Sequence, residues 1–379
     1  MILLVNRRFI YLVLLGVLAC TSLPKEGLFD EPMSNLLLER VLPPSHKAPS
    51  FDPQLIPYSK FSDYDLFEGP IAGFQPSKGV QLYRPANELF SDYASKLRFI
   101  KVPEGERITW DESGNFEFPL HTLLIKHFLY PDAAQLLKGP VQMMESRILH
   151  LSNDGWKAYT YVWNDKGTEA FLNQVGDFKS VNYTHFDGKK MDIAYVVPNK
   201  NECKNCHQRS NEMVPLGPTP EHLQYPWKDS GISQLERWVE LGILERPESG
   251  FSHLSSPVLW NDSSTGAIHE RALAYLEANC GHCHHPEGSA HTSGLFLQLD
   301  QKDPRRLGIL KPPVAAGKGS GNRKYSIEPG HPENSILLYR MTTNEPGEMM
   351  PELGRSVNHQ EGIEVIQEWI ESMPTELVK

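Results

Sequence analysis

Two periodicities divide the chain. Between residues 56 and 198 the apolar positions alternate with polar ones or gather in short runs. Tyr159, Tyr161 and Trp163 alternate with Thr160, Val162 and Asn164, and His121 to Tyr130 is a nearly continuous apolar run, both of which predict strands. Asn153-Asp154-Gly155 separates Met144 to Leu151 from Lys157 to Trp163, and Asp187-Gly188 separates Val181 to Phe186 from Lys189 to Val197. The Asp-Gly pair is a hairpin signal, so short strands joined this way predict a small antiparallel sandwich or barrel. Beyond residue 198 the period lengthens. Ile232, Leu235, Trp238, Val239 and Leu241 form a helical stripe, Ile268 to Asn279 reads as a helix, and Ile363, Ile366, Trp369 and Ile370 face inward in a helix from His359 to Met373.

The expected fold class is α+β multidomain. A β-rich domain (56–198) is followed by a first mainly α, cytochrome c-like unit (199–250), a polar linker (251–264) and a second such unit (265–379). Residues 20–55 read as a tether, because Leu42-Pro43-Pro44-Ser45, Pro49 and Pro53 interrupt any periodicity, with a short helix over Met33 to Leu42. The 30 prolines and 28 glycines predict many turns.

Asn6, Arg7 and Arg8 lead into an apolar run from Phe9 to Ala19 that stops at Cys20. The run is shorter than the roughly 20 residues a transmembrane helix needs, so residues 1–19 read as an export signal. Val17-Leu18-Ala19-Cys20 resembles a bacterial lipobox, which implies lipidation of Cys20, and Thr21 resembles the class sorted to the outer membrane rather than kept at the cytoplasmic membrane. The expected location is the periplasmic side of the outer membrane. A net charge of -10 argues against nucleic acid as a partner. One basic stretch stands out, Lys302, Arg305, Arg306, Lys311, Lys318, Arg323 and Lys324; it is a solvated loop, a docking face or a contact for haem propionates.

Cys20 apart, all the cysteines fall in two C-x-x-C-H motifs, Cys203 to His207 and Cys280 to His284. In such a motif the thiols add across the vinyl groups of haem and the histidine binds iron. On a helical turn, positions i, i+3 and i+4 share one face. Cys203, Cys206 and His207, and Cys280, Cys283 and His284, are therefore candidates to hold two covalently attached haem c groups. The rival is zinc, but the pairs begin 77 residues apart, against roughly 15 to 20 in a zinc ribbon.

The sixth ligand decides what each iron does. Gly347-Glu348-Met349-Met350-Pro351 offers two thioethers before the last helix; Met350, next to the proline, is the choice and Met349 the alternative. For the first haem Met213, His222 and His185 stay open. Leu216-Gly217-Pro218 resembles the Gly-Pro of cytochromes c, whose proline carbonyl accepts the proton of the iron-binding histidine. His121, His127 and His150 match no particular copper ligand set and read as ordinary histidines.

The chain resembles an uncharacterised family of bacterial di-haem c-type cytochromes from about residue 80 onward. The resemblance rests on Phe90 to Lys96, Tyr161-Val162-Trp163-Asn164, both haem motifs, Leu216-Gly217-Pro218, Pro313 to Gly321 and Met349 to Ser356. His121 stands where the family pattern has a glycine. The resemblance implies a β-rich front half and a partner encoded nearby, often a parallel β-helix protein.

The expected function is electron transfer between redox proteins of the cell envelope, with no catalytic residue assigned. The alternative is a di-haem peroxidase or another oxidoreductase that uses an open first iron, with the β-rich domain binding substrate or partner. If Cys20 is lipidated, the native protein fractionates with membranes and Cys20→Ala is released as soluble protein or retained as precursor.

Overall fold

Six antiparallel strands lie side by side in chain order: β1 (Val80–Tyr83), β2 (Ser95–Lys101), β3 (Leu123–Pro131), β4 (Val141–Ser152), β5 (Gly155–Trp163) and β6 (Ala170–Asn173). This computed structural model describes residues 37–375 except 133–138, 186, 211 and 315. The export signal and Cys20 therefore lie outside the described residues, as do residues 33–36 of the helix expected over Met33 to Leu42. Ser152 pairs with Gly155, so Asn153 and Asp154 form a two-residue loop, and Gly155 takes a φ of 87°. A separate ribbon follows, β7 (Asp177–Thr184) and β8 (Lys190–Val197), with Thr184 opposite Lys190.

The period of two sends the side chains of β3 to opposite faces. Leu123, Ile125 and Leu129 join Leu97, Phe99, Ile148 and Trp163 against the irregular chain that includes Leu37, Phe61, Tyr64 and Phe74. Leu37, Leu38, Val41 and Phe51, from the stretch expected as a tether, belong to this core. On the other face Leu124 packs with Ile100, Leu235 and Trp238, while Phe128 packs with Tyr183 and Tyr195 of the ribbon.

The sandwich or barrel and the two mainly α cytochrome c-like domains are not what the chain forms. The sheet is open, with β1 and β6 at its edges. Among the described residues there are six α-helices: α1 (Lys200–His207), α2 (Pro220–Leu223), α3 (Gln234–Glu240), α4 (Ile268–Leu276), α5 (Ile336–Thr342) and α6 (Gln360–Glu371). Prolines at 215, 218, 220 and 226 interrupt the chain between α1 and α3. The stripe of α3 meets only the single turn of α2, through Leu223, and Leu235 and Trp238 pack onto the sheet, while Leu241, past the helix end, is exposed. In the C-terminal part α4, α5 and α6 share one core through Leu273, Leu276, Leu338, Ile366 and Trp369. Between Glu277 and Ser335, however, the chain runs in loops, turns and short helical turns. No helix among the described residues is long and apolar enough to cross a membrane.

Helices α4 and α6 meet at Gly362, where an added Cβ would lie 2.3 Å from the Tyr275 ring. Gly362→Ala is expected to cost about 1–3 kcal/mol through overpacking. Trp238→Ala, which empties a fully buried site, is expected to cost about 3–5 kcal/mol. Both are read from denaturant midpoints.

Candidate functional site

Helix α1 starts at a capping box. The Asn199 side chain accepts from Asn201 and Glu202 N–H, and the Glu202 carboxylate accepts from Asn199 N–H at 2.8 Å. This start sets Cys203, Cys206 and His207 on the following turns. A short hairpin then pairs Gln208 with Met213 and Arg209 with Glu212, folding Val214 back against His207. Val214 N–H donates to the His207 carbonyl at 2.7 Å, and His207 Nδ1–H donates to the Val214 carbonyl at 2.9 Å. The sequence points to Pro218 for the latter bond; the tight hairpin gives it to Val214. Nε2 of His207 is left for a ligand.

The second motif ends α4 in a wider turn over Glu277–Gly281. Cys283 and His284 N–H both donate to the Cys280 carbonyl. Gly288 has to be glycine, since a Cβ there would lie 2.2 Å from the Cys283 carbonyl oxygen. Ser293 Oγ gives its proton to the Ala290 carbonyl and lies 3.3 Å from His284 Nδ1. Ser293 Oγ and the Leu295 backbone are the hydrogen-bond partners of the His284 ring, and with the Nδ1 proton directed to Ser293 the Nε2 lone pair is left for a ligand.

Both motifs open on one cavity of about 1010 Å³ enclosed between them and the sheet, at the upper end of the range for small-molecule sites. Its lining includes Cys203, Cys206, His207, Cys280, Cys283 and His284, with Met350 from the C-terminal side and Arg98, Lys126 and Arg147 from the sheet. The four cysteines are unbridged. Burial lowers His207 to about 4 and lowers His284 as well, so both rings are neutral, as metal ligation requires. The motifs touch each other: Cys283 Sγ and Ser289 Oγ reach the Asn205 carbonyl at 3.3 and 2.7 Å. Donor atoms of Cys206, His282 and Cys283 lie within 4.8 Å of one another. The bond between the two thiols pulls Cys283 below the usual thiol range, with help from His282, and pushes Cys206 above it. Burial raises Cys280 to about 12.

The other candidates separate by position. Met350 lines the cavity and Met349 does not; Met350 is held by its N–H to the Arg340 carbonyl and by Arg355 Nε on its own carbonyl. Of the three residues left open for the first iron, His222 alone is on the cavity wall. Its Nδ1 accepts Asn87 N–H at 3.4 Å, which puts the ring proton on Nε2. Met213 is in the short hairpin, outside the lining. His185 is tied to Glu361 at 2.8 Å and Asp187 at 3.0 Å. The β-region histidines do not converge. His121 and His150 pair at 3.2 Å, while His127 bonds Ser146 at 2.6 Å and packs among Phe61, Phe67 and Phe99. His121 has a φ of 68°, the left-handed conformation that favours glycine. None of the basic residues between Lys302 and Lys324 lines the cavity.

Sequence reasoning gave the loop from Asn87 to Tyr93 no structural role, Phe90 to Lys96 entering only as part of a resemblance. The Asn87 side chain donates to the Val258 carbonyl at 2.8 Å and accepts Trp260 N–H at 3.1 Å. Phe90 N–H donates to Asn279 Oδ1 at 2.8 Å, and its ring stacks on His359 at 4.2 Å. Asp92 accepts from Ser356 and Val357 N–H at 2.6 and 3.0 Å, and Tyr93 donates to Glu361 at 2.9 Å. Sequence reasoning also passed over Lys126, whose one signal was a charge inside an apolar run.

Burial lowers the affinity of His185 for its proton, but Glu361 and Asp187 outweigh it and raise the pKa. A raised pKa in the folded state adds stability that is fully present below about pH 6.5 and is lost as pH rises through the folded value. The expected result is that His185→Gln costs more stability at about pH 5.5 than at about pH 8.5, read from denaturation midpoints.

Comparison with family models, curated proteins and solved structures returned no match.

Proposed function

We propose that the chain is a di-haem c-type cytochrome that passes single electrons between redox partners of a bacterial cell envelope. One observation carries the reading: two C-x-x-C-H motifs open on one cavity, each with its histidine Nδ1 engaged and Nε2 free. Cys203 and Cys206 would hold one haem and Cys280 and Cys283 the other, with His207 and His284 on the irons. Met350 would complete the second iron, with Met349 as the fallback. When bound, haem iron supplies one-electron chemistry, and a thioether ligand raises its potential. The chain's own residues hold the rings neutral, fix their orientation through Val214 and Ser293, and wall the site with the sheet. Groups joined to Cys206 and Cys283, whose sulfurs lie within 4.8 Å, would meet at their edges, which favours exchange between them. A lipid anchor at Cys20 and an envelope redox protein, such as a β-helix protein encoded nearby, complete the proposal.

A second reading rests on the cluster of Cys206, His282 and Cys283. Two thiols and an imidazole are three donors of the kind zinc takes, with a fourth position open.

The mass of protein made with a haem-attachment system decides between them. The expected gain is two haems, with one lost in Cys203→Ala/Cys206→Ala and the other in Cys280→Ala/Cys283→Ala. Zinc at one equivalent and no haem would establish the second reading. In the holoprotein, Met350→His is expected to keep the second haem low-spin and lower its potential, while Met350→Ala admits added imidazole. A high-spin first iron in the unmodified protein would point to catalysis rather than transfer.

A further inference from the structure

Arg98, Lys126 and Arg147 stand directly opposite one another on β2, β3 and β4, and all three line the cavity. Like charges facing across strands destabilise a sheet, so such a row needs counter-charges. The outer two have them. Arg98 pairs with Glu88 at 3.0 Å, and Arg147 makes a two-pronged contact with Glu145 at 2.6 and 2.8 Å. The middle one has no such direct partner: among the described residues Lys126 forms no ion pair or side-chain hydrogen bond, its ammonium lies over the Phe128 ring at 4.6 Å, and Glu88, already engaged by Arg98, acts on it only at longer range.

Burial first, and then Arg98, Lys96 and Arg147, outweigh the Glu88 carboxylate and hold this ammonium well below the ordinary lysine range. A partly buried charge with no direct counter-charge is costly, and an anion in the cavity would offset both penalties. We propose that Lys126, flanked by Arg98 and Arg147, binds a carboxylate inside the cavity. The carboxylate has two sources, a side arm of the first haem, which rests on the function proposed above, or a small free acid.

The test compares purified wild type, Lys126→Met and Lys126→Arg, each with its haem content measured by mass. If the carboxylate is haem's, Lys126→Met lowers the midpoint potential of the first haem and leaves the second unchanged, and Lys126→Arg restores it. A free acid predicts instead that sodium acetate, followed by calorimetry at fixed ionic strength, binds saturably to wild type and Lys126→Arg. It would bind about tenfold or more weaker to Lys126→Met, the scale of one charged hydrogen bond. Equal potentials together with equal or absent acetate binding in all three proteins would overturn the proposal. Absence of haem from the mass would refute the cytochrome reading alone, since the acetate measurement needs no haem and still decides whether Lys126 binds a carboxylate.

Discussion

The arrangement of the cavity depends on one loop, Asn87 to Tyr93, gripping the C-terminal half of the chain. Through side chain and backbone it holds Val258, Trp260, Asn279, Ser356, Val357 and Glu361. Asn279 directly precedes Cys280, so the hydrogen bond from Phe90 fixes the second motif relative to the sheet. Asp92 and Tyr93 adopt φ values of 51° and 58°, which non-glycine residues avoid. That strain is offset by bonds the same two residues make, which would be lost in a relaxed loop. The first motif needs no such grip, because it follows directly on β8 and Lys200 N–H at its start donates to the Gln174 carbonyl just past β6.

Much of the local structure was legible in the sequence. The alternation at Tyr159 to Trp163, the turn at Asn153-Asp154 and the stripe at Ile363 to Ile370 all report local periodicity, and local periodicity survives folding. The global reading failed where the same signal had two solutions. The stripe Leu235, Trp238 suits another helix or a sheet equally well, and only the tertiary structure assigns it to the sheet. The candidate site was legible as a set of residues, since the two C-x-x-C-H motifs that line the cavity stand out in the sequence. It was not legible as geometry: nothing in the spacing says that Cys206 meets Cys283, that Val214 rather than Pro218 faces His207, or that His185 is held by Glu361.

The two stretches from Phe90 to Lys96 and from Met349 to Ser356 are instructive. In the sequence they carry a resemblance and no mechanism, being polar, irregular and far apart. In the structure Asp92 of one accepts the N–H of Ser356 of the other. Motifs of this kind are hard to interpret singly because each is half of a contact. The charged sheet face belongs to the same class. Arg98, Lys126 and Arg147 are ordinary surface residues until strand pairing brings them into a row and the C-terminal segments cover them.

Gly288 bears on the order in which the molecule is made. Its close approach to the Cys283 carbonyl folds the second motif tightly on itself, and the bonds from Cys283 and Ser289 to Asn205 draw that motif against the first. The sheet is synthesised first and offers its cationic wall early, while the loop partners at Asn279 and Ser356 emerge late. Assembly of the cavity would then be sequential, its last walls being set in place only when the C-terminal segments dock on a sheet that is already made.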